Sequence, residues 1–171
     1  MNALAECDDR DRPDREGFKD AGHISELLTF RLARLVAVND KAGGRWMKSN
    51  FGINLNDWRV LGLVHEFGPV RVGLIADILL LDRGQVTRIV QGLVTRDLLK
   101  TNAGKEDGRS VELTLTDAGE RIHRQTMSFA SDRNKLVVAP LSEQETTQFL
   151  DILDKLTEHN EDLLNLPDPG K

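Results

Sequence analysis

The chain has 171 residues, a formal charge of -5 at neutral pH, 39% hydrophobic and 30% charged residues, the balance of a globular domain with room for one appended element. No apolar run approaches the roughly 20 residues that span a bilayer, and the amino terminus lacks the apolar core of a signal peptide. A single cysteine, Cys7, excludes a disulfide scaffold or a cysteine-rich zinc site, so a cytoplasmic protein without a membrane partner is expected.

The charge is unevenly placed. Residues 1–20 carry net -3 and residues 142–171 net -6, which leaves a middle of net +4. A nucleic acid senses the field within a Debye length of about 8–10 Å, so the total charge does not decide the matter.

In chain order, residues 1–22 read as a disordered acidic tail. A helix is predicted from His23 to about Ser49, with Ile24, Leu27, Leu28, Leu35 and Val38 on one face, weakened late by Gly43-Gly44. Asn54 is a candidate N-cap for a helix over 55–67 that is apolar nearly all round and therefore central. Gly68-Pro69 ends it. A short apolar helix covers 70–81. Asp82 caps a helix over 83–97 whose Val86, Ile89, Val90, Leu93 and Val94 repeat at helical spacing. The period then changes. Residues 98–102 and 111–115 read as two strands around a charged, glycine-bearing loop. Thr116 caps a helix over 117–138, and Ser142 with Glu145 forms a capping box for a last helix ending near Leu164.

Two helices across a tight turn, followed by a two-stranded hairpin, make a mainly α winged helix-turn-helix. Helix 83–97 packs one face and offers Arg83, Gln85, Thr87, Arg88 and Gln91 on the other, with no acidic group between Arg83 and Arg96. Arg suits guanine, Gln suits adenine, and Thr reaches bases or phosphates. A solvated amphipathic helix would look the same. The hairpin tip, with Lys105 and Arg109, favours the DNA reading because an arginine on a narrow loop can enter the minor groove. His23, His65, His123 and His159 lie far apart without metal-ligand spacing, and no nucleophile or phosphate-loop motif is present, so no catalytic residue, metal or cofactor is expected. Cys7 sits among carboxylates that suppress its thiolate.

Leu55-Asn56-Asp57-Trp58-Arg59-Val60-Leu61, then Gly68-Pro69, resembles the tryptophan-arginine-valine-leucine helix of MarR-type regulators. Leu81 to Val90 resembles their recognition helix. Asp107-Gly108-Arg109-Ser110 with Leu113 to Gly119 resembles their wing and the helix start beyond it. The resemblance covers roughly Ile24 to Leu164. It implies a homodimeric repressor on a palindromic double-stranded DNA operator, frequently released by a small aromatic ligand, with Asp107 orienting Arg109. Two departures stand out: Arg96-Asp97-Leu98-Leu99 replaces the family's usual glycine and leucine-valine, and Gly108 replaces a second wing arginine, which predicts a weaker wing.

The expected organisation is a tail over 1–22, a dimerisation helix over 23–54, the winged domain over 55–116, dimerisation helices over 117–166, and a tail over 167–171. At about 100° per residue Arg31 falls inside the apolar face of the first helix and so needs an anion. That anion is a protein carboxylate, including one from a second subunit, or a ligand carboxylate held bidentately. Ligands in the family sit between the dimer helices and the winged domain. His65, seven residues after Trp58 and four after Leu61, faces apolar neighbours where an aromatic acid can stack and bond, with His23 a further candidate, so an aromatic carboxylate or its thioester is the expected effector. A small enzyme, or a protein-interaction module on the same scaffold, is the alternative.

Overall fold

A computed structural model describes residues 22–104 and 111–164. The acidic tail with Cys7 and the hairpin tip with Lys105, Asp107 and Arg109 lie outside those residues. Among the described residues no helix is long and apolar enough to cross a membrane.

A 3-10 turn at Ile24–Glu26 precedes α1 (Leu28–Phe51), α2 (Leu55–Phe67), β1 (Val70–Arg71), α3 (Val72–Leu79), α4 (Arg83–Thr95), β2 (Leu99–Ala103), β3 (Val111–Leu115), α5 (Asp117–Val138) and α6 (Glu143–Leu164). The chain divides into two compact units. One holds Thr29–Asn134, and the other takes the residues up to Leu28 and from Lys135 onward.

The helix starts follow side-chain chemistry. Asn54 accepts from the Asp57 N–H at 2.9 Å, and Asp57 accepts from the Asn54 N–H at 3.0 Å. This reciprocal box satisfies two of the donors that a helix start leaves unpaired. Thr116 accepts from the Gly119 N–H at 3.0 Å, and Ser142 and Glu145 form the expected box. The expected helix from His23 breaks at Leu27, whose extended backbone (ψ 131°) separates the 3-10 turn from α1. Nor do Gly43 and Gly44 weaken α1. Gly43 is buried, and a Cβ on Gly44 would stand 3.4 Å from the Leu55 side chain. A Cβ at either position would make ordinary van der Waals contact, and Gly44 packs against the Leu55 side chain at the start of α2.

The sheet has three strands, in the order β1-β3-β2, where the sequence suggested two. Val70 and Arg71 do not open a helix; they pair antiparallel with Leu113 and Glu112. Tertiary pairing decides this, because two residues carry no readable period. β2 pairs with β3 from Leu99↔Leu115 to Ala103↔Val111, one residue later than expected at each end of β2.

The core of the larger unit gathers Met47 and Ile53, then Val60, Leu61 and Val64 of α2, Ile75 of α3, Val86 and Leu93 of α4, and Leu99 and Leu113 of the sheet. α2 is central but not apolar all round in effect: Phe67 is exposed at its end. Arg59 of α2 donates to both Asp40 oxygens at 3.0 Å, and Arg133 of α5 donates to the Asn39 carbonyl at 3.2 Å. Trp46 of α1 stacks on Phe129 of α5 at 3.4 Å. These contacts hold the later half of α1 in fixed register against α2 and α5.

Candidate nucleic-acid interface and a neighbouring cleft

Helix α4 divides as its sequence period requires. Val86, Val90 and Leu93 are buried. Arg83, Thr87, Arg88 and Gln91 are exposed, and Gln85 is half-buried on the flank. The Asp82 Oδ1 accepts from the N–H groups of Gly84 and Gln85 at 2.8 and 3.2 Å, so this acidic group caps the helix start, where a negative charge is favourable. Thr87 donates its hydroxyl to the Arg83 carbonyl at 2.7 Å, which leaves its oxygen lone pairs as acceptors only. The helix ends two residues earlier than its pattern suggested. Arg96 is the C-cap and Asp97 has φ 55°, the left-handed region that favours glycine. Arg96 reaches Asp57 at 3.4 Å and so braces the end of α4 against the start of α2.

On another side of α2 lies a cleft of about 590 Å³ bordered by Trp58, Leu63, His65, Leu79, His123 and Met127. It brings together Trp58 and His65 of the expected effector residues. It does not include Arg31 or His23. Both of these are exposed in the single chain, as are the apolar residues around Arg31, namely Leu28, Leu35 and Val38. His65 is also exposed rather than facing apolar neighbours alone, and its Nδ1 lies 3.2 Å from Glu120.

The sequence reading missed that two histidines meet. His65 of α2 stacks on His123 of α5 with ring centroids 4.1 Å apart. His123 is buried, and burial, then the neighbouring His65, lowers its pKa below the ordinary histidine value, while Glu120 opposes the shift. The Nδ1 of His123 and the Nε1 of Trp58 are buried without a hydrogen-bond partner. Such groups cost free energy unless something pairs with them. Glu120 and His123 sit three residues apart on one face of α5, but nothing in the sequence assigns that face to α2. Among the described residues no group of three His, Cys, Asp or Glu gathers as a metal site.

The model of the MarR family matches residues 51–110. The chain is 30% identical over 113 residues to the HTH-type transcriptional regulator YkoM of Bacillus subtilis (strain 168), covering 66% of this chain and 73% of that protein. A shorter alignment, 29% identical over 70 residues, takes in 41% of this chain and half the length of the B. subtilis regulator YpoP. Among solved structures, a MarR/EmrR family transcriptional regulator from Acinetobacter sp. ADP1 is 26% identical with a TM-score of 0.75, covering 82% of this chain and 99% of that one. A Staphylococcus aureus MepR–DNA complex shares the fold, with TM-score 0.71 at 17% identity over 80% of this chain and 99% of that one.

Proposed function

The chain belongs to the MarR family of transcriptional regulators, and from that premise we propose that it is a repressor that binds a palindromic operator as a homodimer and is released by a small aromatic carboxylate or its thioester. The observation that carries the DNA half is the face of α4. Arg83, Thr87, Arg88 and Gln91 stand exposed on a helix that holds no acidic residue of its own and whose start is capped by Asp82. In this reading α4 enters the major groove and its side chains read base edges. Lys105, Asp107 and Arg109 serve the wing. The likeness to a protein solved on DNA supports the same use of the fold.

The homodimer places two such helices about 34 Å apart, one turn of DNA. Support comes from the apolar residues left exposed in the single chain, among them Ile24, Leu27 and Leu28 before and at the start of α1, and Phe149, Leu150 and Ile152 of α6.

The effector half rests on the Trp58–His123 cleft. Its walls are apolar and aromatic, and its buried Trp58 N–H can donate only, which suits a carboxylate or carbonyl oxygen. Arg59 borders the same cleft, with its guanidinium engaged by Asp40 and Asn56, and Arg31 remains the guanidinium that a second subunit would bring to an anion. His65 and His123 offer a stacking surface. A gel shift on the DNA upstream of the chain's own gene tests the whole reading, with aromatic acids and their thioesters added in turn. The expected result is salt-dependent, sequence-selective binding that one such compound releases. Trp58→Phe, which keeps an aromatic ring but removes the N–H, then blunts release while binding survives. Binding without sequence preference would overturn the operator reading. Release unaltered by Trp58→Phe would overturn the effector site.

A further inference from the structure

A second cleft of about 610 Å³ lies between α1, the start of α2 and the flank of α4. Its floor on α4 is Gln85 and Ile89, the two half-buried positions beside the exposed recognition face. Its far wall is the later half of α1. There Lys41, Arg45 and Lys48 recur at intervals of four and three residues, which places them on one stripe of the helix. All three are exposed, and none makes an ion pair or hydrogen bond among the described residues. The one acidic residue bordering the cleft, Asp40, is held by both of its oxygens on Arg59. The cleft therefore carries three uncompensated cations in a chain whose total charge is -5.

The stripe is also rigidly placed. The Asp40–Arg59 pair, the close packing of Gly44 on Leu55, and the Asn39–Arg133 bond fix this half of α1 against the domain that carries α4. All of these residues lie within the Thr29–Asn134 unit. A helix in the major groove has a sugar-phosphate strand along each flank. On the Gln85–Ile89 flank of α4, the elements bordering the groove are the start of α2 and this basic stripe.

We propose that Lys41, Arg45 and Lys48 form a phosphate-binding rail: they hold the DNA backbone beside the recognition helix and supply sequence-independent affinity from α1, outside the helix-turn-helix and the wing. The rail rests on the reading that α4 binds DNA. Lysine and arginine at a phosphate act mainly through counterion release, so each contact adds close to one unit to the salt slope of binding. They carry no base information.

The test measures affinity for the cognate operator and for a scrambled duplex across 50–200 mM salt. It uses the full-length wild type, Lys41→Gln/Arg45→Gln/Lys48→Gln, and Lys155→Gln, which removes one cation of α6 as a control. Circular dichroism and solution mass establish that the variants fold and assemble alike. The expected result for the triple variant is a slope about five units shallower, because a bound homodimer loses six phosphate contacts, and weaker binding to both duplexes. The ratio between the duplexes stays unchanged, and the wild-type advantage shrinks roughly 2,000-fold from the lowest to the highest salt. The Lys155→Gln slope stays that of the wild type. A wild type that binds the operator while the triple variant keeps its slope and affinity overturns the rail alone. Loss confined to the cognate duplex also overturns it, because the residues would then be reading sequence. A wild type that binds neither duplex overturns the DNA reading and the rail together.

Discussion

Leu80 and Asp97 are the two non-glycine residues with positive φ among the described positions, at 51° and 55°. They bracket α4, one in the turn before it and one just beyond its C-cap. An L-residue in this region pays roughly 1–2 kcal/mol, and aspartate pays less than leucine because its short side chain bonds locally. Leu80 is also exposed, so its side chain buries little in return. Leu80→Gly is therefore expected to stabilise the fold by about 0.5–1 kcal/mol after the entropy that glycine adds to the unfolded chain. Asp97→Gly is expected to gain less. Urea midpoints for the two variants measure both, and equal or reversed gains would contradict this account. His123 supplies a second measurement at this scale. Its pKa is lowered in the fold by burial and by His65, so the unfolded chain binds the proton more tightly. The stability tied to neutral His123 is then fully present above the ordinary histidine pKa of about 6.5, and is lost as pH falls from there toward the lowered folded value. The melting temperature is expected to drop between pH 7.5 and 5.5, with a flatter profile for His123→Gln. The same slope in both proteins would place the effect elsewhere.

At the scale of the element, α4 has to be anchored and readable at once. Its anchoring was legible from the apolar spacing of Val86, Val90 and Leu93 and from Asp82 as a cap, and all four behave as that pattern requires. The outward residues differ in what they are free to do. Thr87 spends its proton on the helix backbone, whereas Arg88, the next residue, is exposed. Arg88→Ala is expected to cost about 1–3 kcal/mol on the operator and to relax preference at one base pair per half-site. Equal losses on cognate and scrambled duplexes would show a phosphate contact instead. The third strand was not legible at this scale. Val70 and Arg71 become β1 only because Leu113 and Glu112 lie opposite them.

For the whole molecule, the apolar surface is the feature that one chain cannot explain by itself. None of the α6 residues with a described side chain is buried, and Phe149, Leu150 and Ile152 are exposed. A helix with an apolar face and no cover among the described residues needs a partner surface, which the proposed homodimer supplies. Deleting residues 142–171 is expected to give protein that aggregates or, if it stays in solution, no longer binds the operator. A monomeric truncation with wild-type operator affinity would show that the two DNA-reading helices need no dimer.

What the sequence by itself determined is whatever depends on near neighbours in the chain. The caps at Asn54, Asp82, Thr116 and Ser142 act over three residues. The bounds of α2, β3 and α5 follow from period and punctuation, as does the basic, capped face of α4. Tertiary structure decided whatever depends on residues far apart in sequence. It brought His65 onto His123 beside Trp58, in a cleft that Arg31 does not border. It turned Val70 into a strand, and it set Lys41, Arg45 and Lys48 beside Gln85. Helical period places a residue on a face of its own helix, but which element packs against that face is settled by burial of the whole core. The charge and hydrogen-bond partners of a site residue are therefore settled there too.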